Sequence, residues 1–310
     1  MPLCKQPRIA QRIISLALLI LLAGCQANQE HLTLDEAGKE LQTMLEKDKQ
    51  LEASTVEEAL KKARIAWLGG KIDLAQALYI KAYNLDPANT RVLEEMAKIY
   101  RQLNKTDLAE VCYRLILQQQ PKNLAILESY ALLLMQRKKF PQAEQALQQV
   151  IVADKKSWKA YNGLGIIADM QGLHPKAQAF FAQARAIQPN HPEILNNIGY
   201  SLYMDDQLTD AQNYFLQALK IDPGFKKALY NYALIEARKK NYPEALAVFT
   251  KVVSLPEANN NTGYAAMMNG DLAEADYYLN QALKLSPRFY SKAHENLNEL
   301  DTRKIKASIK

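Results

Sequence analysis

The sequence predicts an all-α solenoid of helix-turn-helix repeats. Small and apolar residues recur with a 34-residue period from 56 to 289. Prolines punctuate the ends of most periods. The composition, 48% hydrophobic and 23% charged over 310 residues, is that of a folding chain, long enough for one extended array or two compact domains.

The period is set by an alanine, an aromatic residue or leucine four later, a small or branched residue three after that, and a proline five beyond. Ala75, Tyr79, Ala82 and Pro87 define the unit 56–89, and Ala109, Tyr113, Ile116 and Pro121 define 90–123. In 124–157 the marks are Ala143, Leu147 and Val150, with Lys155 in place of proline. Ala177, Phe181, Ala184 and Pro189 give 158–191, and Ala211, Phe215, Ala218 and Pro223 give 192–225. Ala245, Phe249 and Val252 mark a sixth unit, 226–255, and Ala275, Leu279, Ala282 and Pro287 a seventh, 256–289.

In each unit the first helix, helix A, carries a small residue at its eighth position: Ala63, Ala97, Ala131, Gly165, Gly199, Ala233 and Gly263. A small residue there lets the two helices of one unit cross closely. Helix A is expected to end near Gly70, Lys105, Lys139, Gly172, Asp206, Lys240 and Gly270. The sixth unit is four residues short, which the pattern assigns to the end of its second helix, helix B, and the linker. A single hairpin of this kind exposes an apolar face, so each needs its neighbour.

The flanks have other compositions. Lys5, Arg8 and Arg12 precede a ten-residue apolar run, Ile13 to Leu22, too short to span a bilayer and matched to a signal-peptide core. It ends in Leu22-Ala23-Gly24-Cys25, a lipobox: the thiol takes the lipid and the small residues admit the peptidase. Residues 1–24 therefore read as a lipoprotein signal peptide, with Cys25 the lipidated first residue of the mature chain. Its acyl chains, of the palmitate type, exceed the two needed for stable anchoring. Gln26 follows in place of the aspartate that retains lipoproteins at the inner membrane, which favours the outer membrane. Residues 25–33 read as a tether. Residues 34–55, with Leu34, Leu41, Met44 and Leu45, read as an N-terminal helix, cap or stalk, and 290–300 as a capping helix. Lys304, Lys306 and Lys310 place a basic tail at 301–310.

The formal net charge of +6 includes the three cations of the signal segment and no basic face interleaved with aromatics, so nucleic acid is not an expected partner. His31, His174, His191 and His294 share no helical face at metal-ligand spacing, and no glycine-rich phosphate loop or nucleophile elbow occurs. The expectation is a chain with no catalytic residues, no metal and no cofactor beyond the covalent lipid. Cys112, in an apolar helix, is expected to be a buried, inert thiol.

Binding then falls to the inner face of the array, which helix A lines. Early units present charged groups there, such as Arg91, Glu94, Lys98 and Arg101. Later units present asparagine, tyrosine and methionine: Asn162, Ile166 and Met170; Asn196, Tyr200, Tyr203 and Met204; Tyr230 and Leu234; and Asn260, Tyr264, Met267 and Met268. Large, adaptable side chains suit a partner segment, and asparagines suit its backbone.

The repeats resemble the tetratricopeptide repeat (TPR), whose units are helical hairpins of this length. The run Asn260–Leu279, continuing through Leu283-Lys284-Leu285-Ser286-Pro287-Arg288-Phe289-Tyr290 to Lys292-Ala293 and Glu295-Asn296-Leu297, is similar to the C-terminal signature of the TadD-like lipoproteins of tight-adherence (Flp) pilus systems. Asn162-Gly163-Leu164-Gly165, Asn196-Asn197-Ile198-Gly199-Tyr200 and the lipobox fit the same family, over about 150–300. The resemblance implies a pilotin-like scaffold at the outer membrane, facing the periplasm, whose partners are a secretin or other pilus-assembly subunits and which meets the membrane only through its lipid. A type IV pilus pilotin and an envelope adaptor for peptidoglycan enzymes are the alternatives.

Overall fold

The computed structural model describes residues 53–286 and 290–308, so the signal peptide, Cys25, the tether and 34–52 lie outside the described residues. Fifteen helices and no strand occur among the described residues, arranged as a solenoid of helix-turn-helix repeats. Two compact units divide at Pro121 and Lys122. The first holds α1 (Val56–Leu68), α2 (Ile72–Leu85), α3 (Thr90–Gln102) and α4 (Thr106–Gln119). The second holds α5 (Leu124–Gln136), α6 (Phe140–Ala153), α7 (Trp158–Met170), α8 (His174–Ile187), α9 (Pro192–Met204), α10 (Leu208–Ile221), α11 (Lys226–Arg238), α12 (Tyr242–Phe249), α13 (Leu255–Met268), α14 (Leu272–Leu285) and α15 (Ser291–Ser308).

Local chemistry fixes the repeat length. In the first five repeats a 13-residue helix A and a 14-residue helix B alternate. Each helix A ends in a left-handed residue whose successor reaches back five places, as when the Lys71 N–H donates to the Ala66 carbonyl at 2.9 Å. The left-handed residues are Gly70, Asn104, Lys138, Gly172, Asp206, Lys240 and Gly270. In the second and third repeats this falls one residue before the expected Lys105 and Lys139, because the helix stops by register and not by residue type. Several linkers are tied by an aspartate. Asp154 accepts the Lys156 N–H at 2.8 Å, which holds the third linker in shape without its proline.

The alanine grid is fully buried: Ala75, Ala109, Ala143, Ala177, Ala211, Ala245 and Ala275 all have zero exposure. The aromatic or leucine four residues later packs under the small position of helix A. Gly165 is the tightest case: a Cβ there would meet Phe181 Cε1 at 2.4 Å. In the first unit, Leu93, Met96, Tyr100 and Ile116 are buried, as is Cys112, whose thiol pKa burial pushes up to about 12. It is the inert thiol expected.

The sixth repeat departs from the grid in one place. Helix α12 has 8 residues against 14 in its counterparts, and residues 250–254 cross to α13 as a linker. The whole shortening is taken from helix B; the linker is not shortened, as the sequence pattern had suggested, but is one residue longer than those between the earlier repeats. At the C-terminus, the basic tail assigned to 301–310 is a correction: α15 runs without interruption to Ser308. Ala293 and Leu300 are buried, and Lys304 reaches Asp276 of α14 at 2.6 Å, so the segment is docked along one side.

Candidate protein-binding groove

The candidate residues lie on α7, α9, α11 and α13 of the second unit, and the structure sorts them into two groups. Met170, Tyr200, Met204, Tyr264 and Met268 are exposed, between 41% and 59%. They repeat at the ninth and thirteenth positions of helix A, one turn apart, so they share a face. Tyr203 lies beside Tyr200, ring centroids 6.4 Å apart, with its own body half-buried. Ile166, Tyr230 and Leu234 are half-buried, and Tyr230 sets its ring edge-on to Phe249 at 5.1 Å. Burial raises the pKa of the Tyr203 and Tyr230 phenols.

The asparagines behave otherwise. Asn162, Asn196 and Asn260 are 5%, 3% and 0% exposed and bond to one another's neighbours. Asn197 donates to Asn162 Oδ1 at 2.9 Å, Asn231 to Asn196 Oδ1 at 2.9 Å, and Asn296 to Asn260 Oδ1 at 2.8 Å. Within a helix, Asn196 donates to Asn197 and Asn260 to Asn261. The carbonyl oxygens expected to hold a partner's backbone are thus used to join successive A helices. The ladder has one open rung. Asn261 stands where Asn197 and Asn231 stand in their repeats, but the fifth position of the preceding repeat is Tyr230. Its Nδ2 is buried without an acceptor among the described residues.

Met267 also leaves the set. It has zero exposure and packs with Ala266, Tyr278, Leu279 and Leu300, so the C-terminal helix covers it. Sequence reasoning missed a concave site of about 380 Å³ lined by Asn196, Tyr200, Lys226, Lys227, Tyr230, Asn231, Val252 and Val253. Its signal in the sequence was the shortened sixth repeat.

One cluster has the residue types of a hydrolytic triad without its geometry. His174 Nδ1 lies 3.0 Å from Asp169 Oδ1, and Ser201 Oγ donates to the same oxygen at 2.8 Å. Both partners bond the carboxylate and Ser201 is fully buried, so the hydroxyl is not presented to the imidazole or to solvent. Among the described residues no group of three or more His, Cys, Asp or Glu could hold a metal, and no helix is long and apolar enough to cross a membrane.

Family profiles described as tetratricopeptide repeat match residues 90–123, 131–192, 197–259 and 256–289. Among solved structures, a tetratricopeptide repeat protein from Parabacteroides merdae is similar at 16% identity, covering 79% of this chain and 98% of its own, with a TM-score of 0.63. The pilF protein of Pseudomonas aeruginosa is similar at 17% identity, covering 79% of this chain and 97% of its own, with a TM-score of 0.50. At these identities the likeness is one of fold. No curated protein sequence matches the chain.

Proposed function

The chain belongs to the tetratricopeptide repeat proteins, and from that premise we propose that it is a protein-binding scaffold of the bacterial cell envelope. The observation that carries the binding role is the pair of exposed tyrosine and methionine side chains repeated at the same positions of two A helices, Tyr200 and Met204 on α9 and Tyr264 and Met268 on α13, on either side of α11. Isolated apolar residues are ordinary on a surface, but a repeated pair on one face is what a partner helix or strand buries. The fold is one of scaffolds that are typically not enzymes.

The setting comes from the sequence. The lipobox at Cys25 supports a lipid anchor on the inner leaflet of the outer membrane, facing the periplasm, and the resemblance over 150–300 supports a place in assembling a tight-adherence (Flp) pilus secretion apparatus. The partner class is then a secretin or another pilus-assembly subunit. Anchoring both proteins to one membrane raises their effective concentration, so a modest groove affinity suffices to hold subunits together during assembly.

The test is cross-linking and affinity purification of the lipidated full chain from its native envelope, beside a Tyr200→Ala/Met204→Ala/Tyr264→Ala variant. Recovery of a secretin or pilus subunit that the variant loses supports both halves of the proposal. Equal recovery by the variant overturns the groove, and recovery of peptidoglycan enzymes alone overturns the pilus role.

A further inference from the structure

The short helix of the sixth repeat makes room for a site the regular repeats lack. Where a full helix B would add its last turns, the linker brings Val252 and Val253, both half-buried, to face α9 and α11 across the concave site of about 380 Å³. Tyr200, from the exposed pair on α9, forms part of the wall, so the site is continuous with the groove.

The charged residues that line it are both lysines, with Glu193 beside Lys227 and Glu257 near enough to Tyr230 to add to burial in raising its phenol's pKa. Lys226 and Lys227 are the first two residues of α11. The first turn of α11 holds no acidic residue, whereas α9 has Glu193 and α13 has Glu257 there. The preceding residue, Phe225, offers no side-chain acceptor to the terminal N–H groups. Two ammonium groups and uncapped helix amides therefore favour an anion at the same end. Little compensates them: Lys227 stands 3.9 Å from Glu193 with both side chains well exposed, and Lys226 has no ion pair among the described residues. A carboxylate beside an aliphatic group matches a wall with both characters, while two lysines are few for a polyanion.

We infer that this site takes an acidic side chain from the partner's docking segment, its carboxylate between Lys226 and Lys227 and the adjoining aliphatic residue against Tyr200, Val252 and Val253. The inference rests on the groove reading above and adds the chemistry of the segment: glutamate or aspartate next to leucine, isoleucine or valine, in a partner that lies along the A helices.

The probe is a displayed library of random 12-residue peptides, selected on the purified full-length chain, with single winners remade as fluorescent peptides and titrated by anisotropy. The key variant is Lys226→Glu/Lys227→Glu. Acidic residues suit a first helical turn, so it should fold, as its thermal melt will show. The expected result is enrichment of an acidic–aliphatic pair on the parent chain, a loss of about tenfold or more in affinity on the charge-swapped variant, and a shift of its own selection toward lysine and arginine. A Tyr200→Ala/Tyr264→Ala variant separates the two levels. Winners that need these tyrosines but show no acidic preference, or bind the charge-swapped chain equally, overturn the inference and leave the groove reading standing. Winners indifferent to the tyrosines, or none at all, overturn both.

Discussion

Asn231 donates its side-chain N–H to the Oδ1 of Asn196, 2.9 Å away and 35 residues earlier. The bond crosses from one repeat's helix A to the next, and Asn197 to Asn162 repeats it. Polar residues here position the face from which the exposed tyrosines project. Asn231→Ala leaves the buried Asn196 oxygen without its donor and is expected to lower stability by ~1–3 kcal/mol. Asn261→Ala removes an Nδ2 that has no acceptor among the described residues, which offsets part of the loss of its Oδ1 as the 3.4 Å acceptor of buried Asn260, so the expected loss is smaller, ~0.5–1 kcal/mol. Denaturant midpoints of the two variants check the contrast; equal losses would show that the ladder contributes nothing particular.

Gly165→Ala places a methyl within 2.4 Å of the Phe181 ring, which has zero exposure and nowhere to retreat. The expected cost is ~1–3 kcal/mol despite the better helix propensity of alanine. The double change Gly165→Ala/Phe181→Leu should recover part of it, read by thermal melting.

Lys138 and Lys240 hold φ of 59° and 66°, in the left-handed region. Lys138→Gly is expected to stabilise by ~0.5–1 kcal/mol, since the relief of the Cβ clash outweighs the added freedom of the unfolded chain, and Lys240→Gly by less, because it also loses the 2.8 Å contact with Asp271. A lowered midpoint in both would contradict this account of the turns.

Tyr242, 4% exposed, donates to Asp271, which also receives Lys240 at 2.8 Å. Burial first, and then the bond to Asp271, push the Tyr242 phenol from its ordinary 10.0 up to about 12. A raised folded-state value means a contribution to stability that is complete below the unfolded value and falls away as pH rises between about 10 and about 12. Tyr242→Phe should therefore make the alkaline decline in the denaturation midpoint shallower across that window. An unchanged slope would mean that the phenol's protonation is not linked to folding.

The alanine grid, the small eighth position and the short sixth repeat were legible because each records a steric demand that repeats with the period. The left-handed turn was legible where glycine marks it, at Gly70, Gly172 and Gly270, and misplaced by one at Asn104 and Lys138, where register alone decides. The asparagines were found on the right face but given the wrong partner: an amide at that position can meet a ligand or the next repeat, and only the offset of 35 between Asn162 and Asn197, and between Asn196 and Asn231, hinted at the second. Met267 looked like its neighbours Tyr264 and Met268 until the C-terminal helix covered it. Lys226 and Lys227 drew no attention, since two lysines opening a helix become a site only through what the linker brings opposite them.

The most direct test of the central claim compares two tyrosines that differ in face and little else. Tyr264, on helix α13, is 43% exposed, and Tyr277, on helix α14, is 57% exposed. A photo-cross-linking amino acid is placed at each in the full-length chain, and adducts are collected from the native envelope. The account predicts a defined adduct with a pilus-assembly protein at position 264 and none at 277. The same adduct at 277, or one there alone, would contradict a binding surface on the A helices.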